Sequence, residues 1–98
     1  MPSWWLYLIE CNNGAVYTGI TTDVAARYRA HAEGKGAKYT RANPPVRLLA
    51  QREFVNRSLA AKAEWAIKRL PPAEKRKVAA GWGNPLLLGR ETDLSDSD

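Results

Sequence analysis

The 98 residues leave room for one small domain with a modest core, since 45% of them are apolar, and no stretch approaches the roughly 18 consecutive apolar residues of a membrane span. A single cysteine and a single histidine exclude an internal disulfide framework and the usual multi-ligand zinc patterns. The first 90 residues hold 15 bases against six acids, and this net charge of +9 favours a polyanionic partner, nucleic acid first, over a merely soluble basic surface.

The first third of the chain predicts a β-hairpin followed by a helix. Residues 4–11 and 15–20 are rich in β-prone side chains, and between them stands Asn12-Asn13-Gly14, which is typical of a hairpin turn. Asp23 is a good N-cap for a helix over residues 24–33.

The rest of the folded body is predicted as a basic loop, a third strand and two further helices. These are the loop 34–45, the strand 46–55, a helix ending at Leu70 before two prolines, and a short helix over 73–80. Asn56 or Ser58 can cap the first of these two helices, and its apolar side chains recur at helical spacing. The apolar positions are Leu59, Ala63, Ala66, Ile67 and Leu70.

The order β-β-α-β-α-α predicts an α+β fold in which helices cover a small three-stranded antiparallel sheet. We expect one domain over residues 1–85. Residues 86–98 end in an acidic stretch with little to bury and are expected to be disordered. The start of the chain lacks the basic flank and apolar run of a secretion signal, so we expect a cytoplasmic protein with no membrane contact.

Several short motifs occur together in one order. They are Tyr7 in the first strand, Tyr17-Thr18-Gly19-Ile20-Thr21-Thr22-Asp23 ten residues on, Arg27 and His31 one helical turn apart, residues 34–41 (GKGAKYTR), Glu64 and residues 66–70 (AIKRL). Their joint order and spacing resemble the GIY-YIG nuclease superfamily, and in particular its short single-domain bacterial branch. The resemblance covers residues 3–80.

Two departures from the family pattern leave its functional side chains in place. Trp5-Leu6-Tyr7 keeps only the tyrosine of the first signature, and Thr18 replaces the central isoleucine of the second. The resemblance implies an endonuclease that uses Mg²⁺ or Mn²⁺ to hydrolyse DNA phosphodiester bonds, in DNA repair or processing or in the handling of foreign DNA. It also implies five catalytic residues, with Glu64 as the metal ligand: Tyr7, Tyr17, Arg27, His31 and Glu64.

The side chains agree with that chemistry. A tyrosine with a pKa of about 10 must lose roughly 3 units to act as a base near pH 7, and nearby cations such as Arg27 and a metal ion lower it. Which of Tyr7 and Tyr17 is the base stays open, and packing in a small aromatic core is the alternative for both.

Arg27 can hold a phosphate oxygen and oppose transition-state charge. His31, on the same helix face, can bind a phosphate, orient a tyrosine or donate a proton, and a solvated helix face is the alternative for this pair.

Glu64 is the only acid between residues 54 and 73. Mg²⁺ typically takes one or two carboxylates together with substrate oxygens and waters, so one glutamate is enough for a single substrate-assisted metal. A two-metal site requires a cluster of carboxylates, so we do not expect one. The alternative is an ordinary ion pair with Lys68 at i+4, worth a few tenths of a kcal/mol.

The basic loop supplies most of the predicted nucleic-acid contacts. Its glycines allow close approach, its bases neutralise phosphates and its tyrosine offers a stacking ring. The predicted contact residues are Lys35, Lys38, Tyr39, Arg41 and Lys68. A flexible solvated loop is the alternative. The bases of the last helix, Lys75 to Lys77, are expected to form a solvated face, with an extension of the binding surface as the alternative.

The hairpin register tests whether the two tyrosines share a site. A two-residue turn at Asn13-Gly14 would place Tyr7 and Tyr17 on opposite faces of the sheet. A three-residue loop, with Gly14 in the left-handed conformation, pairs Tyr7 with Gly19 and places both tyrosines on one face. Because a shared site needs one face, we predict the three-residue loop.

Two other functions stay open. The chain could be a nucleic-acid-binding module with little or no cleavage, which would depend on shape, single strands or a partner protein because it has no separate sequence-reading domain. It could also be an adaptor in a repair complex, with the acidic tail as a docking segment. We expect DNA, single-stranded or structured, as the partner, a repair protein as a further candidate, and a monomer or weak dimer.

Overall fold

The computed structural model describes residues 3–82. Its elements are β1 (Trp4–Cys11), β2 (Val16–Thr21), α1 (Val24–Ala32), α2 (Lys38–Ala42), β3 (Pro45–Phe54), α3 (Arg57–Lys68) and α4 (Pro72–Trp82). The predicted α+β fold is confirmed, with one antiparallel sheet in the strand order β2-β1-β3. Within residues 3–82 no helix is long and apolar enough to cross a membrane. The predicted acidic tail, 86–98, lies outside the described residues.

The two faces of the central strand β1 carry different side chains, because residues alternate from face to face along a strand. Leu6 and Leu8 point to one face, which α3 and α4 cover. Tyr7, Ile9 and Cys11 point to the other face, which α1 covers. The molecule therefore has three layers, with the sheet between a pair of helices and α1.

The hairpin has the predicted three-residue loop. The Cys11 N–H donates to the carbonyl oxygen of Ala15, and the Gly14 N–H donates to that of Cys11, both at 2.9 Å. Gly14 has a φ of 87°, in the left-handed region that favours glycine. Tyr7 pairs with Gly19, so the predicted register is confirmed and both tyrosines lie on one face.

The segment 34–45, predicted as a loop, contains the short helix α2. Five residues are too few to show a hydrophobic period, and the N-cap residue Ala37 makes no side-chain cap bond. Helices this short are held by tertiary contacts rather than by their own propensity. Here the contact is Thr40, whose side chain is buried and bonded to α1. The loop prediction was wrong because this contact joins separate elements.

The buried face of α3 differs from the predicted one. Ala60 and Ile67 are buried, whereas Leu59 is 43% exposed and Ala66 is also exposed. The apolar spacing did not distinguish a small alanine that approaches the sheet from a leucine that faces solvent. The helix begins after Asn56, whose Oδ1 accepts the N–H of Leu59 at 2.9 Å, as one of the two predicted caps.

The bases of α4 hold the hairpin. The Nζ of Lys75 donates to the carbonyl oxygen of Val16 at 2.9 Å, and the Arg76 guanidinium donates to the carboxylate of Glu10 at 3.1 Å and to the carbonyl oxygen of Gly14 at 2.8 Å. The predicted solvated face is therefore wrong for these two bases, which connect α4 to both strands of the hairpin and to its loop.

Candidate active site

A line of buried hydrogen bonds lies on the face of the sheet that α1 covers. The Oη of Tyr7 and the Nε2 of His31 are 3.0 Å apart, and the Nδ1 of His31 is 2.7 Å from the Oγ1 of Thr40. The Thr40 hydroxyl donates to the carbonyl oxygen of Ala37 at 2.9 Å. None of the three side chains is more than 2% exposed. The line thus joins β1, α1 and α2.

Two glycines make room for this line. A Cβ on Gly19 would collide with the phenol oxygen of Tyr7, and a Cβ on Gly36 would collide with the Nδ1 of His31. Neither glycine has a positive φ, so lack of space and not backbone conformation requires them. The close approach that the sequence suggested at Gly36 is therefore an approach to the histidine ring.

Tyr17 completes a cluster of three rings. Its ring centroid lies 6.3 Å from that of Tyr7 and 5.1 Å from that of His31, which it meets edge-on. Tyr17 is half-buried, whereas Tyr7 is 2% exposed. The two predicted tyrosines and the predicted histidine therefore lie together in one cluster of rings.

Burial raises the pKa of Tyr7 to about 12, because a phenolate would lose its water. The Arg27 guanidinium beside the phenol opposes this change, and the charges of Tyr17 and Glu64 add to it. Arg27 lowers the pKa of Tyr7, as the sequence led us to expect, but burial outweighs this effect, so the pKa does not fall toward 7 in the protein alone. Tyr7 is protonated at neutral pH.

Burial, assisted by the charge of Arg27, lowers the pKa of His31 below its ordinary 6.5. His31 is therefore neutral at pH 7, and a neutral imidazole has one N–H donor and one bare acceptor nitrogen. Tyr7 is protonated and His31 is neutral, so the hydrogen bond between them joins two uncharged side chains.

Glu64 approaches the cluster from the other layer. Helix α3 contacts both β1 and the edge strand β2, and the phenol of Tyr7 lies over Gly19 of that same edge strand. The charge of Glu64 acts on the pKa of Tyr7, so the two groups are within electrostatic reach of each other. The Glu64 side chain is 21% exposed, which leaves its carboxylate open to a ligand.

The site offers one carboxylate for a metal. Within residues 3–82, no three His, Cys, Asp or Glu side chains group together as a metal site. A lone glutamate whose charge reaches the phenol of Tyr7 fits a single Mg²⁺ or Mn²⁺ that is otherwise bound by phosphate oxygens and water. It does not fit a two-metal centre.

The predicted bases of the 34–45 segment lie at the surface. Lys38 and Arg41 are exposed on α2, and the Nζ of Lys35 is 3.9 Å from the carboxylate of Glu33. Because Thr40 of the same short helix touches His31, α2 places the bases next to the buried line.

The other two predicted contact residues already have partners. Tyr39 is 42% exposed and its hydroxyl accepts a hydrogen bond from the Nδ2 of Asn13 at 2.8 Å, which joins α2 to the hairpin loop. The Nζ of Lys68 lies 3.3 Å from the Glu64 carboxylate, so the i,i+4 ion pair that the sequence allowed is present. Lys68 therefore belongs to the surroundings of Glu64.

Thr40 is the residue that sequence reasoning missed. It stands between exposed neighbours in a segment expected to be solvated, and only its contact with His31 shows its position. The only hint of Thr40 was its position four residues after Gly36. Gly36 does not have a positive φ, so its backbone conformation does not explain why a glycine stands there.

Known proteins resemble this chain over most of its length. The model of the GIY-YIG catalytic domain matches residues 3–77. The chain belongs to the GIY-YIG family. It is 54% identical over 78 residues to a UPF0213 protein of Cupriavidus necator, a match that covers 80% of this chain and 85% of that protein. The family match identifies a nuclease-type catalytic domain.

Two solution NMR structures have a similar fold. The UPF0213 protein BH0048 from Bacillus halodurans is 36% identical with a TM-score of 0.54, and the match covers 95% of this chain and 99% of that one. The protein EF2693 from E. faecalis is 34% identical with a TM-score of 0.58, and the match covers 84% of this chain and 88% of that one.

GIY-YIG nucleases generally bind DNA and use divalent metal ions.

Proposed function

We propose that this protein is an endonuclease that uses Mg²⁺ or Mn²⁺ to hydrolyse DNA phosphodiester bonds, in DNA repair or processing or in the handling of foreign DNA. The observation that carries the proposal is the buried hydrogen bond of 3.0 Å between Tyr7 and His31, placed where the charges of Arg27 and Glu64 both act on the phenol. Membership of the GIY-YIG family supports the same class of reaction.

Tyr7 and His31 form a proton path for the attacking water. The water gives a proton to the Oη of Tyr7 while the phenol proton passes to the Nε2 of His31. The water oxygen forms its bond to phosphorus as the bond to the leaving oxygen breaks. His31 ends as an imidazolium, and the leaving oxygen takes a proton from solvent water. His31 is therefore the final proton acceptor, and Tyr7 is the group that relays the proton from the water.

The pKa values require these transfers to occur together. Burial raises the pKa of Tyr7 to about 12 and lowers that of His31, so a resting phenolate–imidazolium pair is disfavoured relative to the neutral pair. A stable phenolate is therefore not the base. The phenol passes its proton on only as it receives one from the water.

Two charged side chains complete the site. Arg27 offers N–H groups to phosphate oxygens and opposes the charge that develops on them. Glu64 would hold the metal, and its carboxylate lies 3.3 Å from the Nζ of Lys68. When bound, Mg²⁺ or Mn²⁺ supplies positive charge at the cleaved phosphate.

The exposed side chains of α2 are the proposed contacts for the DNA backbone. Lys38, Tyr39 and Arg41 face outward on the helix whose Thr40 faces inward to His31. With Lys35 they would place a phosphate next to the ring cluster. Binding through several such contacts falls steeply with salt, because each one releases counterions.

A cleavage assay tests the proposal. Plasmid and single-stranded oligonucleotide are incubated with the full chain and Mg²⁺ or Mn²⁺, against EDTA, Glu64→Ala and Glu64→Gln. Glu53→Ala, an exposed acid on β3, is the matched control. We expect metal-dependent cutting by the wild type and by the control, and loss in both Glu64 variants.

The other outcomes separate the remaining functions. Salt-sensitive binding without cutting would indicate the nucleic-acid-binding module. Absence of both binding and cutting would indicate the third function, an adaptor in a repair complex. Cutting in EDTA, or full activity of Glu64→Ala, would contradict the assigned role of the carboxylate.

A further inference from the structure

The direction of every hydrogen bond in the buried line follows from its end at Ala37. A carbonyl oxygen cannot donate, so the single proton of the Thr40 hydroxyl goes to the Ala37 oxygen at 2.9 Å. The Thr40 oxygen can then only accept, and the Nδ1 of His31 at 2.7 Å must be the donor. The Nε2 of His31, 3.0 Å from Tyr7, is therefore the bare nitrogen.

The opposite tautomer of His31, with the proton on Nε2, would leave polar atoms unpaired at both ends of the buried line. If Nδ1 were bare, Thr40 would have to turn its proton to the ring, and its oxygen would face the Ala37 oxygen at 2.9 Å with no proton between them. The phenol of Tyr7 would then accept from Nε2, and its own proton would lose the partner that it has in the structure. Unpaired buried polar groups each cost about 1–3 kcal/mol.

We propose that Thr40 is a positioning residue that holds His31 as its Nδ1–H tautomer and so keeps Nε2 ready to accept the proton of Tyr7. The consequence for cutting rests on the proposed function, but the tautomer itself does not. Gly36 serves the same end, because only a residue without Cβ lets the segment before α2 lie against the imidazole.

The chain has a single histidine, so the tautomer can be read directly by NMR. The full-length protein, labelled with ¹⁵N-histidine, gives the signals of one imidazole, and the ¹⁵N shifts distinguish a protonated nitrogen from a bare one. At pH 7.5 we expect Nδ1–H and bare Nε2 in the wild type. Thr40→Val removes the hydroxyl and should yield a mixture or the Nε2–H form, and Thr40→Ser should restore the wild-type tautomer.

The cleavage assay supplies the second measurement. Thr40→Val should lower kcat on the order of ten- to a hundredfold with little change in KM, and Thr40→Ser should recover most of it. A wild-type protein with Nε2–H, or a folded Thr40→Val with an unchanged tautomer, would overturn the inference. A changed tautomer with unchanged cutting would overturn the link to catalysis. The expected tautomers without wild-type cutting would support Thr40 and contradict the proposed function.

A separate observation concerns the outer face of α3. An open groove of about 530 Å³ is lined by Arg57, Ser58, Ala61, Lys62 and Trp65. The Trp65 side chain is 65% exposed, which is unusual for so large an apolar ring. The guanidinium of Arg69 lies 4.4 Å from the Trp65 ring centroid, and no acid lines the groove.

The groove lies next to the proposed cutting site. At about 100° per residue, Glu64 and Lys68 fall between the buried face of α3, marked by Ile67, and the groove face, marked by Ala61 and Trp65. A strand whose phosphate is held through a metal ion at Glu64 would therefore lie within reach of the groove.

We infer that this groove binds a nucleic-acid strand of the substrate, with an unpaired base stacked on Trp65 and phosphates on Arg57 and Lys62. Exposed aromatic rings beside cations are the usual platform for unpaired bases. An apolar protein partner would match Trp65 but would leave Arg57, Lys62 and Arg69 without counter-charges. This inference also rests on the proposed function, because it extends the same site.

Binding without cutting tests the groove. The anisotropy of a labelled single-stranded oligonucleotide is measured with the full chain in EDTA. Trp65→Ala should raise Kd roughly five- to a hundredfold and Trp65→Phe much less, since base stacking on an aromatic ring is worth about 1–3 kcal/mol. Lys62→Gln should reduce the salt dependence by about one counterion. Val46→Ala, an exposed apolar residue on β3, is the control.

Two results would overturn the inference about the groove. One is an unchanged Kd in Trp65→Ala. The other is a wild-type dimer in sedimentation that Trp65→Ala converts to a monomer with unchanged affinity for the oligonucleotide, because the groove would then bind a second copy. Trp65-dependent binding by a wild type that never cuts would support the groove and contradict the proposed function.

Discussion

The two faces of β1 differ in what their buried side chains require. On one face Leu6 and Leu8 are stabilised by contact area alone, under α3 and α4. On the other face the ring of Tyr7 also packs, but its buried hydroxyl needs a chain of partners, since it requires His31 and His31 requires Thr40. One strand thus supports the core with one set of residues and the proposed chemistry with the alternate set.

The comparison shows how a chain this small can hold a buried polar cluster. Partners from α1 and α2 satisfy the polar atoms of the Tyr7 face, so burial there is not penalised. The Leu8 face contains a polar exception, because Thr18 lies opposite Leu8 and its buried Oγ1 has no hydrogen-bond partner within residues 3–82. The chemistry-bearing face is therefore the better satisfied of the two.

The largest expected effect is that of Tyr7→Phe. The ring stays but the proton path is cut, so the cleavage rate should fall on the order of 10²- to 10⁴-fold. The free energy of unfolding should change by only about 1 kcal/mol, for the unpaired His31 nitrogen. Single-turnover cleavage and urea unfolding measure the two quantities. A rate within threefold of the wild type would remove Tyr7 from the mechanism.

Leu8→Ala should have the opposite profile. Leu8 is fully buried, and its truncation should lower the free energy of unfolding by about 2–5 kcal/mol. The rate per folded molecule should stay near that of the wild type, because Leu8 points away from Tyr7. Loss of rate in a fully folded Leu8→Ala would show that the two faces are not independent.

Gly19→Ala tests the close contact between Gly19 and the phenol of Tyr7. The added Cβ collides with Tyr7, which must move away from His31, and a displacement of about 1 Å can cost about a hundredfold in rate. Gly81→Ala is the matched control, since nothing lies within 4 Å of its Cβ and alanine favours a helix by about 1 kcal/mol. Equal rates in the two variants would refute the close fit.

Acid should weaken the fold through His31. Its pKa is below 6.5 in the folded protein and near 6.5 in the unfolded chain. Between these values the unfolded state binds more protons, so the free energy of unfolding should fall as pH decreases through that window, by at most about 1.4 kcal/mol per pH unit. Urea unfolding from pH 7 to 5 should show the fall in the wild type and less of it in His31→Gln.

The smallest expected effect is a gain. Thr18→Val keeps the shape of the side chain and removes the unpaired hydroxyl, so it should raise the free energy of unfolding by about 1 kcal/mol and leave cleavage unchanged. Thermal and urea unfolding measure the gain. A loss of stability would mean that the hydroxyl has a partner in solution.

The register of the hairpin shows how far local reasoning reaches. Asn12-Asn13-Gly14 allows two turn types, and only the requirement of a common face for Tyr7 and Tyr17 selected the one that is present. The same reasoning failed for α2, because five residues show no period, and for α3, because apolar spacing did not separate Ala60 from Leu59.

Within residues 3–82, the sequence by itself determined the strands, three of the four helices and the residue types of the proposed site, because alternation along a strand and i,i+4 spacing on a helix are local properties. Only the tertiary structure decided the bond from Tyr7 to His31, 24 residues away, the Thr40 that orients it, and the raised pKa of the phenol. Hydrogen-bond partners and burial depend on contacts between separate elements, and no local pattern encodes them.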